Sequence, residues 1–307
     1  MSLATAADYP QLKDQGVIPT LYADEVNITY YDECLLPRVT NSKFTGEVKN
    51  VGDKVIIAQR PVIETKDYVK GMTLETQIPV APNIELNIER AKYYRFGIDN
   101  IDAHQTHIVL NREYISDGVE RMKIDTETDF WADVYTEAHA DNSGVAAGAK
   151  SGAYNLGSAA VPLGLDADNI IQLLTSVRAV LGEQNAAKPG MWIVVPEWCR
   201  WLLVNSDLKN ASLTGDASSV QRTGRLGEID GLTIYTSNVL KTATYVTHAS
   251  THIMAGNKDA ITFCAQMAKS RAFEAQNTFG MIYDGLHVYD WEVIKPEGLV
   301  SIVAYKA

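Results

Sequence analysis

The chain has 307 residues, a net charge of -11, and 46% hydrophobic against 21% charged residues, the balance of an ordinary folded protein long enough to bury a sizeable core. No apolar run reaches the roughly 18 residues that a membrane span needs, and the opening MSLATAADYPQLKDQG lacks the basic-then-apolar order of a secretory signal. An acidic chain is poorly suited to gripping nucleic acid, whose phosphates call for basic surfaces.

Residues 1–45 read as an arm. The stretch YADEVNITYYDECLLPRV predicts one short helix that stops before Pro37. Leu21, Tyr30, Tyr31, Leu35 and Leu36 have no core of their own there and are expected to pack on a neighbouring copy of the chain.

Residues 46–99 predict a long two-stranded ribbon, from VGDKVIIAQRPVIETKDY and TLETQIPVAPNIELNIERAKYYRFGI, both rich in β-branched residues. Its tip falls near DYVKGMT, with Gly71 as the turn residue. Pro61, Pro79 and Pro82 cannot donate to a sheet ladder, which argues against a buried central sheet. A lone ribbon is marginal in water, so Lys66, Tyr68, Lys70 and Met72 around its tip are expected to lie across a partner, with Tyr30, Tyr31, Leu35 and Leu36 of the arm.

Residues 105–138 predict one long helix, since Ile108, Ile115, Val119, Met122, Phe130 and Val134 recur at helical steps and only Gly118 weakens the run. At full length it would reach about 50 Å. Its carboxylates Glu113, Asp117, Glu120, Asp125, Glu127, Asp129, Asp133 and Glu137 outnumber Arg112, Arg121 and Lys123, which reads as a solvated acidic face rather than paired catalytic acids.

Residues 139–165 read as a flexible connector of small residues. An α/β unit follows: a helix over DADNIIQLLTSVRAVLGEQ capped by Asp166 or Asp168, the strand GMWIVVP, and a helix opened by Pro196. Trp192, Trp198 and Trp201 are expected in a core, because Arg200 alone among basic residues interleaves with them. GEIDGLTIYTSNVL, TATYVTHASTHIMAG and nearly everything from Ala260 to Ala307 read as strands, which makes the chain α+β.

Catalytic signatures are absent: no GxGxxG, Walker lysine loop, HExxH or GxSxG occurs. Cys34, Cys199 and Cys264 are three and far apart, which fits neither a disulfide framework nor a zinc knuckle. They point to synthesis in a reducing cytoplasm, with Cys199 and Cys264 as buried thiols. His104 with His107, and His248 with His252, lack a third ligand at a metal-site spacing. No enzyme activity, cofactor or metal is expected.

The order arm, ribbon, long helix, α/β unit, closing strands resembles the Hong Kong 97-like fold of tailed-bacteriophage major capsid proteins. Four stretches carry the likeness: PGMWIVVPEWCRWLLVN, GRLGEIDGLTIYTSNVL, AGNKDAITFCAQ and GMIYDGLHVYDWEVIKPEGLVSIVAYKA, with Pro296 and Glu297 before the last strand. The resemblance implies an N-arm at 1–45 and an extended loop at 46–99. It implies a peripheral domain with a spine helix at 100–140 and 257–296, and an axial domain at 141–256 and 297–307. It also implies a virion shell subunit, made in the host cytoplasm, whose partners are its own copies in hexamers and pentamers, a separate scaffolding protein, a portal and the enclosed double-stranded DNA, with no membrane. The spine carboxylates Glu113, Asp117, Glu120, Asp125, Glu127, Asp129 and Asp133 would then form an acidic inner face that repels packaged DNA. Some relatives join a loop lysine to a neighbour's asparagine. Lys66 and Lys70 lie near the tip, but nothing marks the partner asparagine.

Three other readings compete. An encapsulin, the bacterial nanocompartment shell, shares the fold. An enzyme built on residues 166–240 would need a pocket with convergent polar groups. A phage tail or decoration protein would be mainly β.

Overall fold

The structure is a computed structural model and describes residues 33–43, 54–61, 63–100, 110–186, 189–206, 227–276 and 278–307. Its centre is a mixed sheet of seven strands. The order is β4 (Leu163–Leu165), β12 (Leu299–Lys306), β9 (His248–Asn257), β5 (Met191–Val195), β7 (Leu232–Thr236) and β6 (Glu228–Ile229), with β8 (Thr242–Tyr245) also on β9. β5 runs parallel to β7 and antiparallel to β9, and β12 runs parallel to β4 and antiparallel to β9.

All five residues of β5 are buried, because this sheet is covered on both faces. Met191, Ile193 and Val195 point to one side. There they pack with Leu232, Ile253, Val300 and Ile302 against the helices Ile170–Glu183 and Glu197–Asn205. Trp192, Val194, Met254 and Leu299 point to the other side, against Phe130, Trp131, Val134, Tyr289 and Trp291. The period-2 alternation of a strand thus supplies two cores at once.

The second core joins the central sheet to a smaller antiparallel one, ordered β10 (Ile261–Glu274), β11 (Gly280–Val293), β3 (Arg90–Asp99). In chain order the helices are α1 (Leu36–Val39), α2 (Leu110–Val134), α3 (Ile170–Glu183) and α4 (Glu197–Asn205). α2 lies on one face of the three-stranded sheet. Its only glycine meets a special need there: the Tyr94 ring fills the space over Gly118, 3.2 Å from where a Cβ would sit, and also covers Gly285 on β11. Gly118 is therefore a packing requirement and not only a weak point of the helix.

Several expectations need correction. The short helix spans Leu36–Val39 instead of ending before Pro37, with the proline in its first turn, where its missing N–H costs nothing. Residues 90–99 do not extend the ribbon; they pair with β11 over ten residues. Residues 139–165 are a packed loop rather than a loose connector: Ala147 and Leu156 are fully buried and Asn142 donates to the carbonyls of Glu297 and Leu299. Neither Asp166 nor Asp168 caps α3: the N-cap position is Asn169, without a side-chain cap bond, and Asp166 instead holds the preceding turn, accepting from the backbone N–H groups of Asp168 and Asn169. The long helix is described from Leu110 to Val134; residues 105–109 of the predicted span, with His107 and Ile108, lie outside the described residues, as does His104 before it. Trp192 is buried and Trp198 half-buried, but Trp201 is 55% exposed with Lys306 stacked 4.4 Å from its ring.

Candidate assembly interface

Two surfaces bear on the predicted site residues: the ribbon, with its exposed apolar side chains, and the charged side of α2. Among the described residues the ribbon's strands pair at its base, where β1 (Lys54–Ala58) runs antiparallel to β2 (Asn83–Asn87). Ile57 and Leu86 anchor that base in a small cluster with Cys264 and Ile294, and the Gln59 amide donates to the carbonyl of Ile294 at 2.9 Å. From Ile63 to Val80 every described residue is exposed, including Ile63, Tyr68, Val69, Met72, Leu74, Ile78 and Val80. The turn is at Lys70–Gly71, closed by the Met72 N–H on the Val69 carbonyl at 3.0 Å, and Gly71 adopts φ +90°, which side chains avoid. Lys66 pairs with Glu75 across the ribbon, so of the four tip residues Lys66 already has a partner in its own chain, while Tyr68, Lys70 and Met72 are exposed.

The arm is divided. Tyr30 and Tyr31 lie outside the described residues. Leu35 and Leu36 are 3% and 4% exposed in the chain itself, packed with Val39 beside Phe130 and Trp131, so their assignment as contacts with a neighbour is corrected. What holds them is Glu127. One of its carboxylate oxygens accepts the Leu35 N–H at 2.9 Å, the other the Trp131 indole N–H at 2.9 Å. The same burial, with the Glu127 charge nearby, pushes the Cys34 thiol up to about 11, an inert thiol. Burial likewise pushes the fully enclosed Cys199 far up.

The predicted acidic face is thereby also corrected in part. Glu127 is buried and structural. Asp129 and Asp133 turn towards the three-stranded sheet, where Lys92 reaches Asp129 at 2.6 Å and Arg90 reaches Asp133 at 2.7 Å. Arg90 also lies 3.3 Å from Asp290 and stacks 4.0 Å from the Trp291 ring. Glu113 and Asp117 are exposed, Glu120 pairs with Lys123, and Asp125 lies 3.9 Å from Arg121. The sequence showed the charges on one helix. It did not show the cations on β3, which come from the segment first assigned to the ribbon.

The histidines on β9 have structural roles. His248 stacks on Tyr305 at 3.9 Å between ring centres. His252 is buried, 4.0 Å from the Tyr135 ring and with one ring nitrogen 2.9 Å from the Tyr245 hydroxyl, and burial, then Lys241, holds its pKa below the ordinary value. Among the described residues, no group of three His, Cys, Asp or Glu side chains is placed to hold a metal ion, and no helix is long and apolar enough to cross a membrane.

This mixed α+β architecture, of several sheets and few helices, is a phage-capsid fold. It is shared along nearly the whole chain with a solved chain of Mycobacterium phage Che8, at 24% identity and a TM-score of 0.76, covering 92% of this chain and 96% of that one. The capsid of cyanophage P-SCSP1u matches at 13% identity and TM-score 0.69, covering 95% and 94%. The mature capsid of bacteriophage PhiM1 matches at 15% identity and TM-score 0.64, covering 93% and 92%. No family model and no curated protein matches the sequence.

Proposed function

We propose that this chain is a major capsid protein, a subunit that assembles with its own copies into the icosahedral shell of a tailed bacteriophage. The likeness to phage capsid chains spans more than nine-tenths of both lengths, and one observation carries the reading from fold to function. The ribbon presents seven large apolar side chains to solvent and has no core of its own. A free subunit gains nothing from such a projection, whereas a shell subunit uses it to bury apolar surface against neighbours without a thick body.

In this reading the fold is Hong Kong 97-like. Residues 1–45 form the N-arm and 46–89 the extended loop, and residues 90–99, paired with β11, belong to the peripheral domain. Residues 100–140 and 257–296 form the peripheral domain with α2 as its spine, and 141–256 with 297–307 the axial domain. Tyr68, Lys70 and Met72 make contacts between subunits. The interior carries Glu113, Asp117, Glu120 and Asp125, which keep packaged double-stranded DNA from adhering. Assembly is made in the bacterial cytoplasm with a separate scaffolding protein and a portal. The chain is structural rather than enzymatic. The solved capsids that share its fold favour a phage shell over an encapsulin.

Negative-stain microscopy of the purified chain, alone and with a co-expressed scaffolding protein, tests this. Closed shells or ring-shaped capsomers are expected. A protein that stays a monomer in both preparations refutes it.

A further inference from the structure

The three-stranded sheet is covered by α2 on one face only. Residues paired directly across antiparallel strands point to the same side, so the registers define the other face. Lys269, Leu286 and Tyr93 form one rung, Arg271, Asp284 and Arg95 the next, and Phe273, Ile282 and Gly97 a third. Among the described residues, no element covers these rungs. Tyr93 is 76% exposed and the Arg271 side chain 71%, and a hollow of about 310 Å³ opens between Tyr93, Lys269, Arg271 and Leu286.

The middle rung is a built arrangement. Asp284 is largely enclosed. One of its oxygens accepts from both Nε and Nη2 of Arg271 at 3.0 and 2.9 Å, and the Nε of Arg95 lies 3.4 Å from the other oxygen, within ion-pair range but without hydrogen-bond geometry. Both guanidinium groups also lie against the Phe273 ring, at 5.1 and 5.4 Å. A single carboxylate and a single ring thus hold two arginines side by side, with their side chains 71% and 51% exposed. With Lys269 on the first rung, and Asp99 following Gly97 on the same exposed face, three cations stand against two anions, a local charge of +1 on a chain whose net charge is -11.

We propose that this open face docks a segment of another protein that is acidic and apolar, its carboxylates meeting the two guanidinium groups and its apolar side chains lying on Tyr93, Leu286 and Ile282. Charge complementarity selects an anionic occupant, and forked guanidinium groups suit carboxylates. Magnitude selects protein over duplex DNA. DNA-binding surfaces engage on the order of 6–10 phosphates, whereas this face has an excess of one positive charge and is otherwise apolar and aromatic, the composition of a protein interface. The inference goes beyond the shell reading, because it rests on the sheet face alone.

The test is fluorescence anisotropy with a labelled random copolymer of glutamate and tyrosine, at an ionic strength of about 0.1 M, where the Debye length of about 10 Å screens the rest of the chain. The probe is offered to free subunits and to any assembled particles. Lys269→Glu and Tyr93→Ser, both at exposed positions, should each weaken binding about tenfold, and Arg271→Gln should weaken it more. The two exposed variants keep the test valid if Arg271→Gln, by leaving Asp284 short of a partner, fails to fold. Equal binding by wild type and Lys269→Glu overturns the proposal, as does no binding by wild type or displacement of the copolymer by duplex DNA. Binding to free subunits but not to particles also overturns it, since the face would then be sealed by a second copy of this chain. Failure to form particles at all, with binding intact, leaves this proposal standing and counts against the shell reading instead.

Discussion

Strand β5 and the ribbon at residues 63–80 both carry large apolar side chains, all five residues of the one and seven of eighteen in the other, yet β5 is wholly buried and the ribbon wholly exposed. The difference lies in what surrounds them. β5 has hydrogen-bonded neighbours on both edges and packed layers on both faces, so each side chain contributes to one of two cores. Beyond its paired base, the ribbon has only a partner strand held by turn and side-chain contacts, and neither face is covered. Apolar content alone therefore does not locate a core. In this chain it marks a region that stabilises the subunit and a region whose apolar surface is left for other chains to bury.

The sharpest test of that contrast is a pair of substitutions. Trp192→Ala empties a site shared by Trp131 and the central sheet and should cost the subunit about 3–5 kcal/mol. Ile78→Ser, at an 84% exposed position, should leave subunit stability within about 0.5 kcal/mol while reducing assembly. Urea denaturation of free subunits and particle yield measure the two effects. If Ile78→Ser destabilised the subunit as Trp192→Ala does, the ribbon would have to belong to a core.

Glu127→Ala should have the next largest effect. It leaves the Leu35 N–H and the Trp131 indole N–H without their acceptor in a buried setting, at about 1–3 kcal/mol for each unsatisfied group. The expected result is a lower urea midpoint together with faster proteolysis before Leu36. Unchanged proteolysis would mean that the arm is held by its leucines alone.

These residues also show what was legible in the sequence. The strand at GMWIVVP, the core placement of Trp192 and the burial of Cys199 and Cys264 followed from pattern and composition, since an apolar run and a thiol among apolar neighbours both suit an interior. Glu127, Arg90 and Lys92 were not legible. A buried carboxylate looks like its exposed neighbours until its acceptor role for Leu35, 92 residues away, is known. Arg90 and Lys92 looked like the polar half of a solvated ribbon, because alternation shows that one face is buried but not which partner buries it. Leu35 and Leu36 were assigned to a neighbour for the converse reason: the arm has no local core, and its core is supplied by α2, far along the chain.

The pH dependence should be smaller. His252 is held below its ordinary pKa chiefly by burial, with its second ring nitrogen buried and unpartnered. A depressed histidine is neutral when folded and takes up a proton more readily when unfolded. Its contribution is therefore constant above the unfolded value of about 6.5 and is lost as pH falls from there towards the folded value. Glu137 and Glu292 oppose this, since burial, then neighbouring carboxylates, raises both, so that protonation favours the folded state as pH falls. The informative quantity is the difference between wild type and His252→Gln. It should change between pH 7.5 and 5 in the direction that weakens wild type at acid pH, and a flat difference would show that His252 is accommodated equally well in both charge states.

Lys92→Met should have the smallest effect. The Lys92 to Asp129 pair is short, at 2.6 Å, but its carboxylate side chain is 41% exposed, and pairs in such settings contribute about 0.2–1 kcal/mol. The methionine keeps most of the stem's packing, so the loss should lie at the lower end and shrink further in high salt. A loss above about 2 kcal/mol, independent of salt, would mean that Asp129 is buried deeply enough to need its cation. Then α2 would be fastened to the three-stranded sheet by charge as much as by Tyr94, Phe96 and Phe130, and the acidic row would be a structural seam rather than a free face of the helix.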